Sequence, residues 1–153
     1  MFKKSKYKTD KLKYFCYIIL IVVAIFLIKG FYKSYIYSLI YDQSANVISQ
    51  EQKDTNYFLY NTSEKINNTK INENFILLSG TITLGEITTT NNINLNTSVK
   101  TGNLKVMILN NNDDVILFEK LEDGSIDIDI NPGTYKIIAI GKWFTGRLYV
   151  STK

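Results

Sequence analysis

The pattern of apolar and polar positions changes character twice along the chain. Residues 14–28, Tyr14 to Ile28, are apolar without a single charge. Fifteen residues at about 1.5 Å each give only about 22 Å, short of the roughly 30 Å hydrocarbon core of a bilayer. Lys13 and Lys29 close part of the gap by snorkelling, and apolar character resumes at Phe31 and Tyr32. The pattern predicts a transmembrane helix over residues 14–32. Residues 31–48 then place Phe31, Tyr35 and Leu39 at a 3–4 spacing, so the helix is expected to continue beyond the bilayer. Its tyrosines suit an interfacial aromatic belt. From Asp42 to Asn74 the chain is polar and Asn-rich, broken only by Tyr57 to Tyr60. Residues 33–74 therefore read as a juxtamembrane helix and a flexible polar linker.

From Phe75 the period becomes two. Ile126, Ile128 and Ile130 alternate with Ser125, Asp127 and Asp129, and Ile93 and Leu95 alternate with asparagines. Short β-branched or aromatic runs cover 104–109, 115–118, 135–140 and 147–150. Turn signals separate them at 101–103, 110–114, 123–124, 131–133 and 141–146. Strands at this spacing without helical pattern predict a mainly β domain over 75–153. The expected form is an antiparallel β-sandwich, jelly-roll or Ig-like, preceded by a single N-terminal transmembrane helix.

Charge sharpens the topology. The chain of 153 residues carries a net charge of +4. Residues 1–13 alone hold six lysines against Asp10, so the remainder is slightly acidic. The positive charge belongs to a tail, and nucleic-acid binding, which needs a basic folded face, is not indicated. The positive-inside rule puts that tail in the cytoplasm and the β domain outside the cell membrane. A cleaved signal peptide is the rival reading. No pair of small residues suited to cleavage follows Ile28, so an uncleaved anchor is expected.

Composition excludes several chemistries. There is no histidine, and the one cysteine, Cys16, lies in the apolar run. Imidazole catalysis, histidine-ligated metals, disulfides and cysteine zinc sites are unavailable within this sequence. Asn110 to Asp114 offers hard oxygens for a cation, but contiguous side chains in a hairpin diverge, so a polar turn is expected. Glu119, Glu122, Asp123, Asp127 and Asp129 form an acidic zone best read as a solvated face. No catalytic residue, metal site or cofactor is predicted, and the chain is expected not to be an enzyme. The candidate binding residues are Lys142, Trp143 and Phe144, between Gly141 and Gly146, where exposed aromatics at the tip of a last hairpin would stack on a sugar or anchor a protein.

The stretch from Gly102 to Ser151 carries a resemblance. Leu104, Val106 and Ile108 lead to a polar hairpin, Ile126, Ile128 and Ile130 follow, and Pro132, Gly133, Thr134 and Tyr135 enter the next strand. This resembles the pre-peptidase C-terminal-like and carbohydrate-binding-like β-sandwiches of bacterial surface proteins, and small membrane-anchored clostridial proteins. The resemblance implies a surface location and a binding or accessory role. The expected function is therefore a single-pass envelope protein whose outer domain has a non-catalytic binding or structural role toward a cell-wall glycan or a protein. Its alternatives are a small subunit of a membrane complex, binding through its helix and tyrosine-rich neck, and, least favoured, a hydrolase.

Overall fold

The computed structural model describes residues 3–51, 56–58 and 61–152. The chain divides into two compact units, Met1–Lys33 and Ser34–Lys153. The first is the helix α1, which runs Lys3–Ser38 and whose last turn belongs to the second unit. The helix starts earlier than the apolar run because the tail lysines are good helix formers. Its apolar side chains are exposed all round, from Leu12 at 63% to Ile28 at 67%. A helix hydrophobic on every side and covered by nothing fits a lipid environment. It is long and apolar enough to cross a membrane.

The second unit is a mainly antiparallel β sheet. A 3-10 turn, Leu39–Asp42, and a short helix α2, Ala45–Glu51, lead into β1 (Asn56–Phe58), β2 (Asn61–Asn67), β3 (Lys70–Thr89), β4 (Asn92–Leu109), β5 (Val115–Leu121), β6 (Gly124–Asp129) and β7 (Gly133–Thr152). β7, last in chain order, lies between β3 and β4 and pairs with both along nearly their whole lengths. The short strands flank one half each. β2 and β6 border the half made of 70–75, 146–152 and 92–99, while β1 and β5 border the half made of 78–89, 133–144 and 103–109.

Irregular registers separate the halves. They fall between Phe75 and Gly80, Val99 and Asn103, and Gly141 and Gly146. Bulges bend strands and increase their twist. Two of the expected turns, at 101–103 and 141–146, are therefore bends inside 18- and 20-residue strands and not hairpin ends. Gly102, with φ 76, shows why: a Cβ there would stand 2.2 Å from the Trp143 carbonyl oxygen. Ile71, Ile93, Leu95, Leu148 and Val150 from one half share a single core cluster with Leu104, Val106, Ile108, Ile137 and Ala139 from the other.

The segment read as a polar linker also departs from expectation. β1 and β2 lie within it, and both pair with β3. Of the aromatic patch at 57–60, Tyr57 and Phe58 are in β1, and Leu59 and Tyr60 lie outside the described residues. The polar reading followed from side chains alone. An edge strand needs only one paired side, so Asn and Thr serve there. In β3 the alternation of Ile71, Glu73 and Phe75 hides a strand because a buried carboxylate, Glu73, occupies the middle inward position.

Candidate functional site

The structure assembles its polar chemistry where the neck meets the sheet. Along β4 the inward residues are Leu104, Val106 and Ile108, so Lys105, Met107 and Leu109 face outward. On β7, Ile138 and Ile140 share that outer face, with Lys142 two residues on. Outward apolar residues need a cover, and the neck supplies it. Tyr41 and Ile48 pack on Met107, Leu109, Ile138 and Ile140, with Ile40, Ala45, Val115 and Phe118 at the margin.

Two lysines hold the neck. The Lys105 ammonium donates to the Tyr41 carbonyl oxygen at 2.8 Å. It also lies 4.4 Å from the centre of the Tyr41 ring and 4.9 Å from that of Phe118. A cation between two ring faces is attracted by both quadrupoles. Lys142 pairs with Asp42 at 2.7 Å and sits 6.0 Å from the Tyr41 ring centre. The Tyr41 hydroxyl is buried without a hydrogen-bond partner. About two turns earlier, the buried Ser34 hydroxyl donates to Ser79 of β3 at 2.9 Å. Ser34, Ser38 and Tyr41 thus form the inward stripe, whereas the sequence suggested a stripe through Phe31, Tyr35 and Leu39.

The three predicted binding residues go to three places. Lys142 points to the neck. Phe144 is fully buried and meets Phe75 edge-on, with ring centroids 5.8 Å apart and planes at 62°. Trp143 lies between them, half-buried, at φ 55. The site is not a hairpin tip but the bulge in β7. Strand alternation sends neighbours to opposite faces, and the bend turns Phe144 into the core, so Phe144 is corrected from contact residue to core residue.

Several side chains of the other candidates have partners elsewhere in the sheet or in their own turn. In the turn after β4, the Asn110 side-chain oxygen accepts from the backbone N–H of Asn112 and Asp114, and its amide donates to Asp114. Asp113 pairs with Lys136 at 2.9 Å. These oxygens are committed to closing the turn. In the acidic zone, Asp123 accepts from the Val99 N–H, and Asp127 accepts from the Asn94 amide at 2.9 Å. Glu119, Glu122 and Asp123 line a shallow cavity of about 220 Å³ with Leu95, Ser125 and Ile126. Among the described residues, no group of three or more Asp, Glu or Cys could hold a metal ion.

No family model and no curated protein matches this chain. Two solved structures are similar in part. One is a ribosomal oxygenase from Escherichia coli, in complex with cobalt and succinic acid. It has TM-score 0.35 and 16% identity, over 54% of this chain and 22% of that one. The other is the CENP-C cupin domain of Drosophila melanogaster, with TM-score 0.36 and 21% identity, over 65% of this chain and 71% of that one. The chain thus spans about a fifth of the oxygenase's length. Neither is a pre-peptidase or carbohydrate-binding domain. The expectation that the chain is not an enzyme is withdrawn on this finding, since one neighbour is an oxygenase. At these TM-scores the likeness assigns the chain neither catalysis nor its absence.

Proposed function

We propose that this chain is a single-pass membrane protein that presents a β binding domain at the outer face of the cell membrane, with its N-terminus in the cytoplasm. The observation that carries this reading is the docked neck. Only residues 33–40 separate the span from Tyr41, which is packed against the sheet. Fully extended, eight residues reach at most about 28 Å, so the domain works within a short distance of the bilayer and not on a long spacer. The tail's six lysines support the orientation. The bent sheet, with one core shared by its halves, supports reading the domain as a sandwich, jelly-roll or Ig-like. Its partner class is an envelope protein or glycan, met on the surface that the neck leaves open.

The test starts with Cys16→Ser, which removes the one thiol, and adds Asn112→Cys. A membrane-impermeant maleimide is expected to label intact cells at position 112, and the protein is expected to stay in the membrane after carbonate washing. Labelling only after lysis overturns the orientation, and release by carbonate overturns the anchor.

The second reading, a small subunit of a membrane complex, draws on the helix exposed on all sides. Replacing residues 14–32 with an unrelated apolar helix separates the two. A co-purifying partner lost on replacement favours the subunit reading, and one retained favours the domain.

A further inference from the structure

The neck has an inverted polarity. In an ordinary surface helix the buried face is apolar and the exposed face is polar. At the end of α1 the buried side chains are Ser34 and Ser38, each only 1% exposed. The exposed ones are Tyr35 at 54%, Ile36 at 41% and, one residue into the 3-10 turn, Leu39 at 45%. At 100° per residue, 34 and 38 lie on one side, and 35, 36 and 39 are grouped on the other. Small hydroxyl residues inside and large apolar residues outside is the arrangement of a helix whose surroundings are not water. All five residues belong to the β unit, so the argument concerns that unit's own surface.

We infer that Tyr35, Ile36 and Leu39 form a membrane-contact surface of the β domain, seated among phospholipid headgroups at the boundary with the acyl chains. Lipid is favoured as occupant by continuity. One unbroken helix carries exposed apolar residues from Leu12 to Ile36, interrupted by Lys29, Gly30 and Lys33, and ends at Ser38. That length is about 40 Å at 1.5 Å per residue, against roughly 30 Å for the hydrocarbon alone and 40–45 Å with both headgroup layers. A helix using its whole apolar length therefore carries residues 33–39 through the outer headgroup layer. Tyr35 brings a ring with a polar tip, the side chain type suited to that depth. Ser34 and Tyr41 hold the opposite side of the same segment on the sheet, so these side chains belong to the surface of the β unit itself. This inference rests on the membrane-anchor reading above.

The experiment uses the full chain in vesicles of phosphatidylcholine and phosphatidylglycerol, in the Cys16→Ser background. Single cysteines at Ile25, Ile36, Leu39 and Asn112 carry an environment-sensitive fluorophore. Labels at 36 and 39 are expected to lose emission to headgroup-proximal nitroxide lipids and to resist aqueous iodide, while the label at 112 does the reverse. Iodide quenching at 36 and 39, with lipid quenching kept at 25, overturns the contact surface and leaves the anchor standing. Iodide quenching at 25 overturns the anchor and the inference together. Protection of 36 and 39 from both quenchers means that another protein covers the face, and that also overturns the inference.

Discussion

The ammonium of Lys105 donates to the backbone oxygen of Tyr41 at 2.8 Å while lying 4.4 Å from the centre of the same residue's ring. One side chain on β4 thus grips a residue 64 positions earlier by its main chain and its ring together. The grip joins the neck to the sheet, and it is the first thing a mutation should test.

Lys105→Met keeps most of the stem and removes the charge. It leaves the Tyr41 carbonyl without its donor, at a cost of about 1–3 kcal/mol. Denaturant unfolding of the full chain in micelles, followed by Trp143 emission, is expected to shift by that amount. Cleavage by a protease within residues 40–52 should quicken. Unchanged stability together with unchanged cleavage would remove Lys105 from the clasp.

Phe144 and Trp143 are neighbours with opposite environments. Phe144→Ala opens a cavity in the core beside Phe75 and is expected to cost about 3–5 kcal/mol. Trp143→Ala loses a half-buried ring and should cost about 1–2 kcal/mol. Thermal unfolding that ranked them the other way would contradict the placement of the bulge.

Gly102 tests the bend itself. Gly102→Ala places a methyl 2.2 Å from a backbone oxygen at φ 76, and no flexible side chain can yield. We expect a loss above about 2 kcal/mol. Gly124, at φ 128, has nothing within 4 Å of an added Cβ. Gly124→Ala should therefore cost only the backbone preference, about 1 kcal/mol. Equal losses at the two positions would show that close strand approach is not what requires Gly102.

Glu73 is 2% exposed, and its Oε2 has no hydrogen-bond partner. Burying an unpartnered carboxylate oxygen is costly. Glu73→Met, which keeps the length and drops the polarity, is expected to raise stability by about 1 kcal/mol or more. A lower melting temperature for this variant would mean that the carboxylate is satisfied after all.

The long apolar helix and the antiparallel β content were legible in the sequence because each has a plain period. The strand lengths were not. Thr101 to Asn103 and Gly141 to Gly146 carry the residues of turns, and a bulge needs the same backbone freedom as a turn. Composition cannot separate the two; the partner strand does. The neck contact was missed although its signal was present. Val106 to Leu109 and Ile137 to Ile140 are continuous apolar runs, and a strand apolar at every position is buried on both faces. Reading Met107 and Ile138 as needing a cover would have pointed to the segment around Tyr41. Phe144 was read as exposed for the same reason as the turns. Phe144 belongs to a strand interior and is as inaccessible as Leu148.

The position of β7 has a consequence for folding. The strand that comes after all the other described strands is the one that both β3 and β4 require along their lengths. Until it is in place, β3 and β4 have only each other's loop and the short flanking strands, and the sheet lacks its middle. The β unit would thus stay unfolded until residues 133–152 are available to pair with β3 and β4. The sheet cannot close before this strand is available, and removal of residues 146–152 should leave no partial domain behind.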